Sequence, residues 1–244
     1  MIQENSSFPP VGNGLTDLFS RSISYLRLSL TDRCKLKCMY CVTEEESAGC
    51  LSKLLHDELL TYEELLRVVR VAVGMGITKV RLTGGEPLVR RNVMGFIREL
   101  TRIEGLGDVR ITTNGVLLAQ HARELLDAGV TKVNVSLDSL RPERVAEITG
   151  ADCFDAVWRG IETVLDLGFS PVKLNMVAMR HINDDEILDF ARMSQRLPLQ
   201  VRFIEFMPIG ASSRWNADTY ISSDEIMARI ASLGDLIQIG RAHV

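Results

Sequence analysis

The sequence predicts an α/β fold built on parallel strands, and three observations carry that prediction. Six short β-rich runs alternate with longer amphipathic stretches from Tyr25 onward, an order that implies parallel strands joined by right-handed crossovers. Several of the amphipathic stretches end at a glycine, where left-handed backbone costs little. Every β-rich run finishes in hydroxyl, amide or charged residues, as strands that share one pocket at their carboxyl ends should. Six βα units are too few for a closed eight-stranded barrel. A partial barrel and an open doubly wound sheet both satisfy the pattern, and periodicity alone does not separate them.

In chain order, the expected strands are 25–30, 79–83, 108–112, 132–137, 172–177 and 200–206, and the expected helices 62–74, 93–101, 117–128, 154–167 and 185–195. Gly74, Gly129 and Gly168 are read as left-handed helix ends. The polar strand ends are Ser29 to Asp32, Thr83 to Glu86, Thr112 to Asn114, Ser136 to Asp138, Lys173 to Asn175 and Glu205 to Met207. A further helical pattern runs from Glu225 to Leu233.

With 28 Lys+Arg against 32 Asp+Glu, the net charge is −4. Such a balance argues against a general nucleic-acid or membrane binder, although an anionic small molecule needs only a local basic patch. No apolar run approaches the ~18 residues of a membrane span. Residues 1–14 lack the basic start and apolar core of a signal peptide, and read as a disordered leader on a cytoplasmic protein.

Of five cysteines, Cys34, Cys38 and Cys41 crowd the loop after the first strand, while Cys50 and Cys153 stand apart. In a reducing compartment such clustering favours metal or redox chemistry over disulfides. Three thiolates at this spacing can wrap one corner of an iron–sulfur cluster and leave one iron open. The competing reading is a three-cysteine zinc site, for which His56 is the nearby fourth ligand. Thr83-Gly-Gly-Glu-Pro87 follows the second strand. Its glycines let backbone approach a ligand amino group, and Glu86 adds an anionic partner. No G-x-G-x-x-G follows the first strand, which removes a dinucleotide fold.

Arg27, Arg81 and Lys173 lie on three different expected strands. Cations facing a pocket are costly unless paired, and an anionic small molecule is a suitable partner. The bland alternative is a surface salt bridge for each. Arg90 and Arg91 suit either a phosphate or a solvated helix start. Cys153 and Trp158 fit a buried helix face, and Cys50 is given no role.

The Cys-x-x-x-Cys-x-x-Cys loop, with Tyr40 before its last cysteine, and the Gly-Gly-Glu-Pro segment together resemble the radical S-adenosylmethionine (SAM) superfamily. Longer stretches beginning at Arg27, Val80, Ile111, Val133 and Arg202 resemble the GTP 3′,8-cyclases of molybdenum-cofactor biosynthesis, over about residues 15–233. The resemblance implies a partial (β/α)6 TIM-like barrel of the radical SAM type over 15–222, with 223–244 beginning a C-terminal region. It implies that Cys34, Cys38 and Cys41 ligate a 4Fe–4S cluster. The backbone at Tyr40 and Gly85, with Ser136 and Met207, would contact SAM. Arg27, Arg81, Thr112 and Lys173 would contact GTP. The implied reaction begins with a 5′-deoxyadenosyl radical taking the 3′ hydrogen of GTP, after which the ribose carbon attacks C8 of guanine.

The partners implied are GTP and an electron donor, with a homodimer as an option and neither nucleic acid nor membrane. The alternatives are a radical SAM enzyme with another substrate, and a non-catalytic iron–sulfur or zinc-binding protein. The family's second cysteine set and arginine-rich segment are missing after Leu233, so an incomplete chain with one cluster site and doubtful activity is expected. Residues Ile239 to Val244 are expected to be artefactual, because the codons ATC GGA AGA GCA CAC GTC for them spell a common sequencing adapter.

Overall fold

The computed structural model describes residues 14–41, 54–55, 58–208 and 215–237. Of the leader expected over residues 1–14 only Gly14 is described, and the artefact expected over 239–244 lies outside the described residues, as do Cys50 and His56.

Six strands form one parallel sheet: β1 (Tyr25–Ser29), β2 (Lys79–Thr83), β3 (Asp108–Thr113), β4 (Lys132–Ser136), β5 (Val172–Ala178) and β6 (Leu199–Glu205). Their spatial order is their chain order, with every neighbouring pair parallel. A doubly wound sheet would reverse its strand order at a switch point. Uninterrupted order is instead that of a barrel, so the ambiguity left by periodicity resolves to a six-stranded open barrel.

The helices cover the outer face. They are α1 (Tyr62–Gly74), α2 (Val93–Thr101), α3 (Leu118–Asp127), α4 (Pro142–Thr149), α5 (Phe154–Asp166), α6 (Ile187–Arg196) and α7 (Ser223–Ile230). Side chains alternate along each strand. Val80, Leu82, Ile111, Val133, Val135 and Leu174 are fully buried on the helix side, in one core with Leu65, Ile97, Leu125 and Ile161 of the helices. Arg27, Arg81, Arg110, Thr112, Asn134 and Lys173 occupy the opposite, inner positions. Among the described residues no helix is long and apolar enough to cross a membrane.

Gly129 and Gly168 take the left-handed conformation expected of them, with φ of 88° and 79°. Gly74 does not. Helix α1 runs through it, Met75 caps the end, and the left-handed turn falls on Gly76. Helix α4 was not anticipated. It is only eight residues long, so its periodicity is weak, yet Pro142 at its first turn and left-handed Gly150 at its end mark both boundaries. Helix α7 packs on α6 and β6. Arg229 reaches Asp184 at 3.0 Å and Glu225 at 2.7 Å.

Candidate functional site

The cysteine loop leaves the carboxyl end of β1 and is fastened on three sides. Lys37 N donates to Thr149 O (2.8 Å) and Met39 N to Ile148 O (2.9 Å), which lays the loop along the end of α4. Cys41 N donates to Cys38 O (2.9 Å), closing a turn between the two cysteines. The Tyr40 hydroxyl donates to Asp138 Oδ2 (2.7 Å), beyond the end of β4. Asp138 is buried and also accepts from Val177 N (2.8 Å). Burial pushes its carboxyl up to about 6, against the pull of those two bonds. Burial likewise pushes the Cys38 thiol up to about 12, with the charges of Asp138, Cys41 and Cys34 adding to the effect.

All three cysteines belong to this one loop. Among the described residues, however, no three His, Cys, Asp or Glu side chains gather tightly enough to hold a single ion. Mononuclear zinc needs four donors within about 2.3 Å of one point. A cuboidal cluster meets each thiolate at a separate iron, and three thiols on one loop are the donor set such a cluster takes.

The Gly-Gly-Glu-Pro loop packs onto the start of the cysteine loop. Gly85 N donates to Thr31 O (2.6 Å) and Glu86 N to Arg33 O (2.8 Å). A Cβ at Gly84 would lie 2.3 Å from Thr31 O, and one at Gly85 2.3 Å from Arg33 O. Both glycines are therefore required by approach to the chain itself. Glu86 departs from its expected role as partner of a ligand amino group. Its carboxylate is 1% exposed and accepts from Leu88 N (3.0 Å), Thr113 Oγ1 (2.8 Å) and Asn114 N (2.6 Å). It ties β2 to β3, and Asn114 in turn donates from Nδ2 to Cys34 Sγ (3.5 Å).

Below the loop, the inner face of the sheet is a field of cations. Arg27, Arg81 and Arg110 stand in one register row, and Thr112, Asn134 and Lys173 in another. Arg202 sits beside Asn175, which pairs with Ser136. Burial, then Arg202, Arg110 and Arg81, holds the Lys173 amine below the usual lysine range. Arg81 is lowered by burial, and Arg202, Arg110 and Arg27 act in the same direction. Asp108 supplies the carboxylate here, held by Arg110 Nε (2.8 Å) and Lys132 Nζ (3.1 Å). Among the described residues Arg27, Arg81, Lys173 and Arg202 form no ion pair, so the surface salt-bridge reading fails. Arg81 Nε, Asn134 Nδ2 and Asn175 Oδ1 are buried without hydrogen-bond partners. Orphaned polar atoms cost about 1–3 kcal/mol each; the two donors, Arg81 Nε and Asn134 Nδ2, suit an anionic ligand, and the acceptor Asn175 Oδ1 suits a donor group on it.

All the sequence-predicted residues thus sit on the inner face or on the loops at its carboxyl edge. Ser136 lines a cleft with Leu36, Asn114 and Cys153 behind the cysteine loop. Met207 is half-exposed just beyond β6. Arg90 is engaged elsewhere: it donates to Leu30 O (2.8 Å) and stacks on Tyr62. Arg110, Asn134, Asn175 and Arg202 were not singled out in the sequence, although period-two counting along each strand puts them on the same face. A separate groove lined by Arg98, Thr101, Gly107 and Asp108 opens at the amino ends of the strands, away from these groups.

The comparisons with known proteins follow the same lines. The Radical SAM superfamily profile matches residues 28–194. A GTP 3′,8-cyclase of Thermodesulfovibrio yellowstonii is 48% identical over 226 residues, covering 92% of this chain and 69% of the relative. One from Pelotomaculum thermopropionicum is 48% identical over 224 residues, covering 91% and 68%. The chain therefore spans about two thirds of their length. Among solved structures, Streptococcus suis SuiB bound to S-adenosylmethionine aligns with TM-score 0.65 at 17% identity, over 86% of this chain and 46% of that one. The enzyme anSMEcpe with bound AdoMet aligns at 0.63 and 18%, over 86% and 57%. At such identities these two show the fold alone.

Proposed function

Because this chain belongs to the radical SAM superfamily and, within it, to the GTP 3′,8-cyclase family, we propose that its barrel carries out the radical step of GTP cyclisation. In this reading Cys34, Cys38 and Cys41 hold one 4Fe–4S cluster. The cluster and SAM, when bound, supply a 5′-deoxyadenosyl radical by one-electron cleavage of the sulfonium. Everything else falls to the chain's own residues. The Gly85 backbone, Ser136 and Met207 surround SAM at the carboxyl edge, with the Tyr40 backbone on the loop above. Arg27, Arg81 and Lys173 hold the triphosphate, and Thr112 faces the same pocket. Arg202 and Asn175 join that set.

The observation that carries the substrate assignment is the cation field: four basic side chains on one inner face that form no ion pair among the described residues, with Arg81 Nε, Asn134 Nδ2 and Asn175 Oδ1 orphaned on that face. Charge-assisted bonds to phosphate satisfy the cations together with Arg81 Nε and Asn134 Nδ2, while Asn175 Oδ1, an acceptor, suits a hydroxyl or N–H donor of the same ligand. A triphosphate held there places the ribose toward the cysteine loop, where short distance to the reacting atom matters most. The sequence holds no cysteine after Cys153, so one cluster per chain is the expected content, and a second group that anchors guanine would be no part of these residues. The electron donor and any homodimer rest on the family resemblance.

The triphosphate reading is tested by binding rather than turnover. Calorimetry of the anaerobically prepared chain should show GTP binding at least ten-fold tighter than GMP, and guanosine weaker again. Equal affinities for the three would remove the triphosphate from the inner face.

A further inference from the structure

We infer that Asn114 is a positioning residue for the cluster: its side-chain amide donates to the Cys34 thiolate, and the buried Glu86 holds it there. The inference rests on the reading that Cys34 is a cluster ligand.

The geometry is specific on both sides of the amide. Asn114 Oδ1 accepts from Val116 N (3.0 Å), a local turn that fixes the side-chain rotamer. That leaves Nδ2 as the outward-facing group, and it points at Cys34 Sγ from 3.5 Å. The backbone is fixed as well, because Asn114 N donates to Glu86 Oε2 (2.6 Å). Glu86 itself is anchored by Leu88 N and Thr113 Oγ1. A continuous chain of hydrogen bonds therefore joins the Gly-Gly-Glu-Pro loop, through the end of β3, to the first cysteine.

An N–H donor on a ligating sulfur withdraws charge from the thiolate and favours the reduced, more negative cluster, so hydrogen bonds to sulfur raise the potential. Glu86, a buried carboxylate, would oppose that if it faced the cluster. Its three donors instead absorb its charge, and Asn114 presents a neutral donor in its place. The arrangement gives Glu86 a use that acts through Asn114.

Two measurements decide the matter, both on the full 244-residue chain reconstituted anaerobically. In the first, the protein carries asparagine labelled with nitrogen-15 at the side-chain amide only, and the reduced cluster is examined by pulsed electron paramagnetic resonance. A weak nitrogen-15 coupling is expected, and its absence from protein holding about four irons per chain overturns the inference. In the second, Asn114→Asp keeps the acceptor for Val116 but loses the donor. The coupling should vanish, and the ratio of reduced to oxidised cluster at fixed ambient potential should fall about ten-fold, equal to about 59 mV for one electron. An unchanged potential in a variant that retains its iron overturns the inference too. Should Asn114→Asp lose its iron, the labelling result on the parent chain still decides. Failure of the underlying reading is distinct, for the parent chain would then bind no four-iron cluster at all.

Discussion

Lys173, proposed above to hold the triphosphate, carries a cost to the fold. Its amine is held below the usual range by burial and by three neighbouring cations. A base with a lowered folded-state pKa destabilises the fold throughout the range below that pKa and releases the cost only as pH rises toward its unfolded value. Lys173→Met should therefore raise the ligand-free melting temperature at pH 7 and weaken GTP binding at least ten-fold, read by thermal unfolding and calorimetry. Asp138 carries the opposite shift. Its folded carboxyl titrates at about 6 against an ordinary 3.8, so its contribution falls as pH climbs from about 4 to about 6 and stays unfavourable above. The difference is worth about 3 kcal/mol. Asp138→Asn should make the iron-free chain more stable at pH 7.5 by up to that amount and should flatten the pH dependence between 4 and 6. Urea unfolding at pH 4.5 and 7.5 checks this, and parallel profiles for parent and variant would count against a buried charge. Sequence reasoning could name Arg27, Arg81, Thr112 and Lys173 because they sit in recognisable motifs. It could not see that Glu86 turns inward, because a residue type does not reveal the direction of its side chain.

At the level of elements, two loops and one strand end make the site. The Gly-Gly-Glu-Pro loop lies directly on the chain at Thr31 and Arg33, with no room for a Cβ at either glycine. The atoms it would strike are backbone carbonyls, which cannot swing aside as a flexible side chain can. Gly85→Ala should therefore separate the two loops and cost about 2 kcal/mol or more. Reconstituted iron content and SAM affinity should drop together, while the helix content seen by circular dichroism is retained. Normal iron with normal SAM affinity would show that the loops can part without consequence. The strands were legible to within a residue or two at each end, because hydrophobic alternation and the polar residues that follow fix them. Helix α4 was not, since eight residues give too few turns for periodicity, and its proline and glycine had to be read instead. Helix α1 ends at Gly74 as expected, but the left-handed turn read at Gly74 falls on Gly76, because a glycine's tolerance for left-handed backbone marks where such a turn can form, not where it does.

The whole molecule is an open sheet that leaves its cationic inner face accessible along one side. Order 1-2-3-4-5-6 was beyond sequence periodicity, and only the resemblance pointed to a barrel. An accessible field of this kind binds anions in a salt-dependent way, since exposed charges are screened beyond about 8–10 Å. GTP affinity should therefore weaken steadily between 50 and 500 mM salt (on the order of the Debye-length change), which a titration series would show; a flat response would mean the cations are not the contacts. In the proposed function, three cysteines on one loop make this chain a source of SAM-derived radicals. The direct test is to supply the reconstituted chain with SAM and a strong reductant under anaerobic conditions and quantify 5′-deoxyadenosine and methionine. Equal amounts of both products, abolished together with the iron in Cys38→Ala, are predicted. No 5′-deoxyadenosine from protein that holds about four irons, the content of one such cluster, would contradict it.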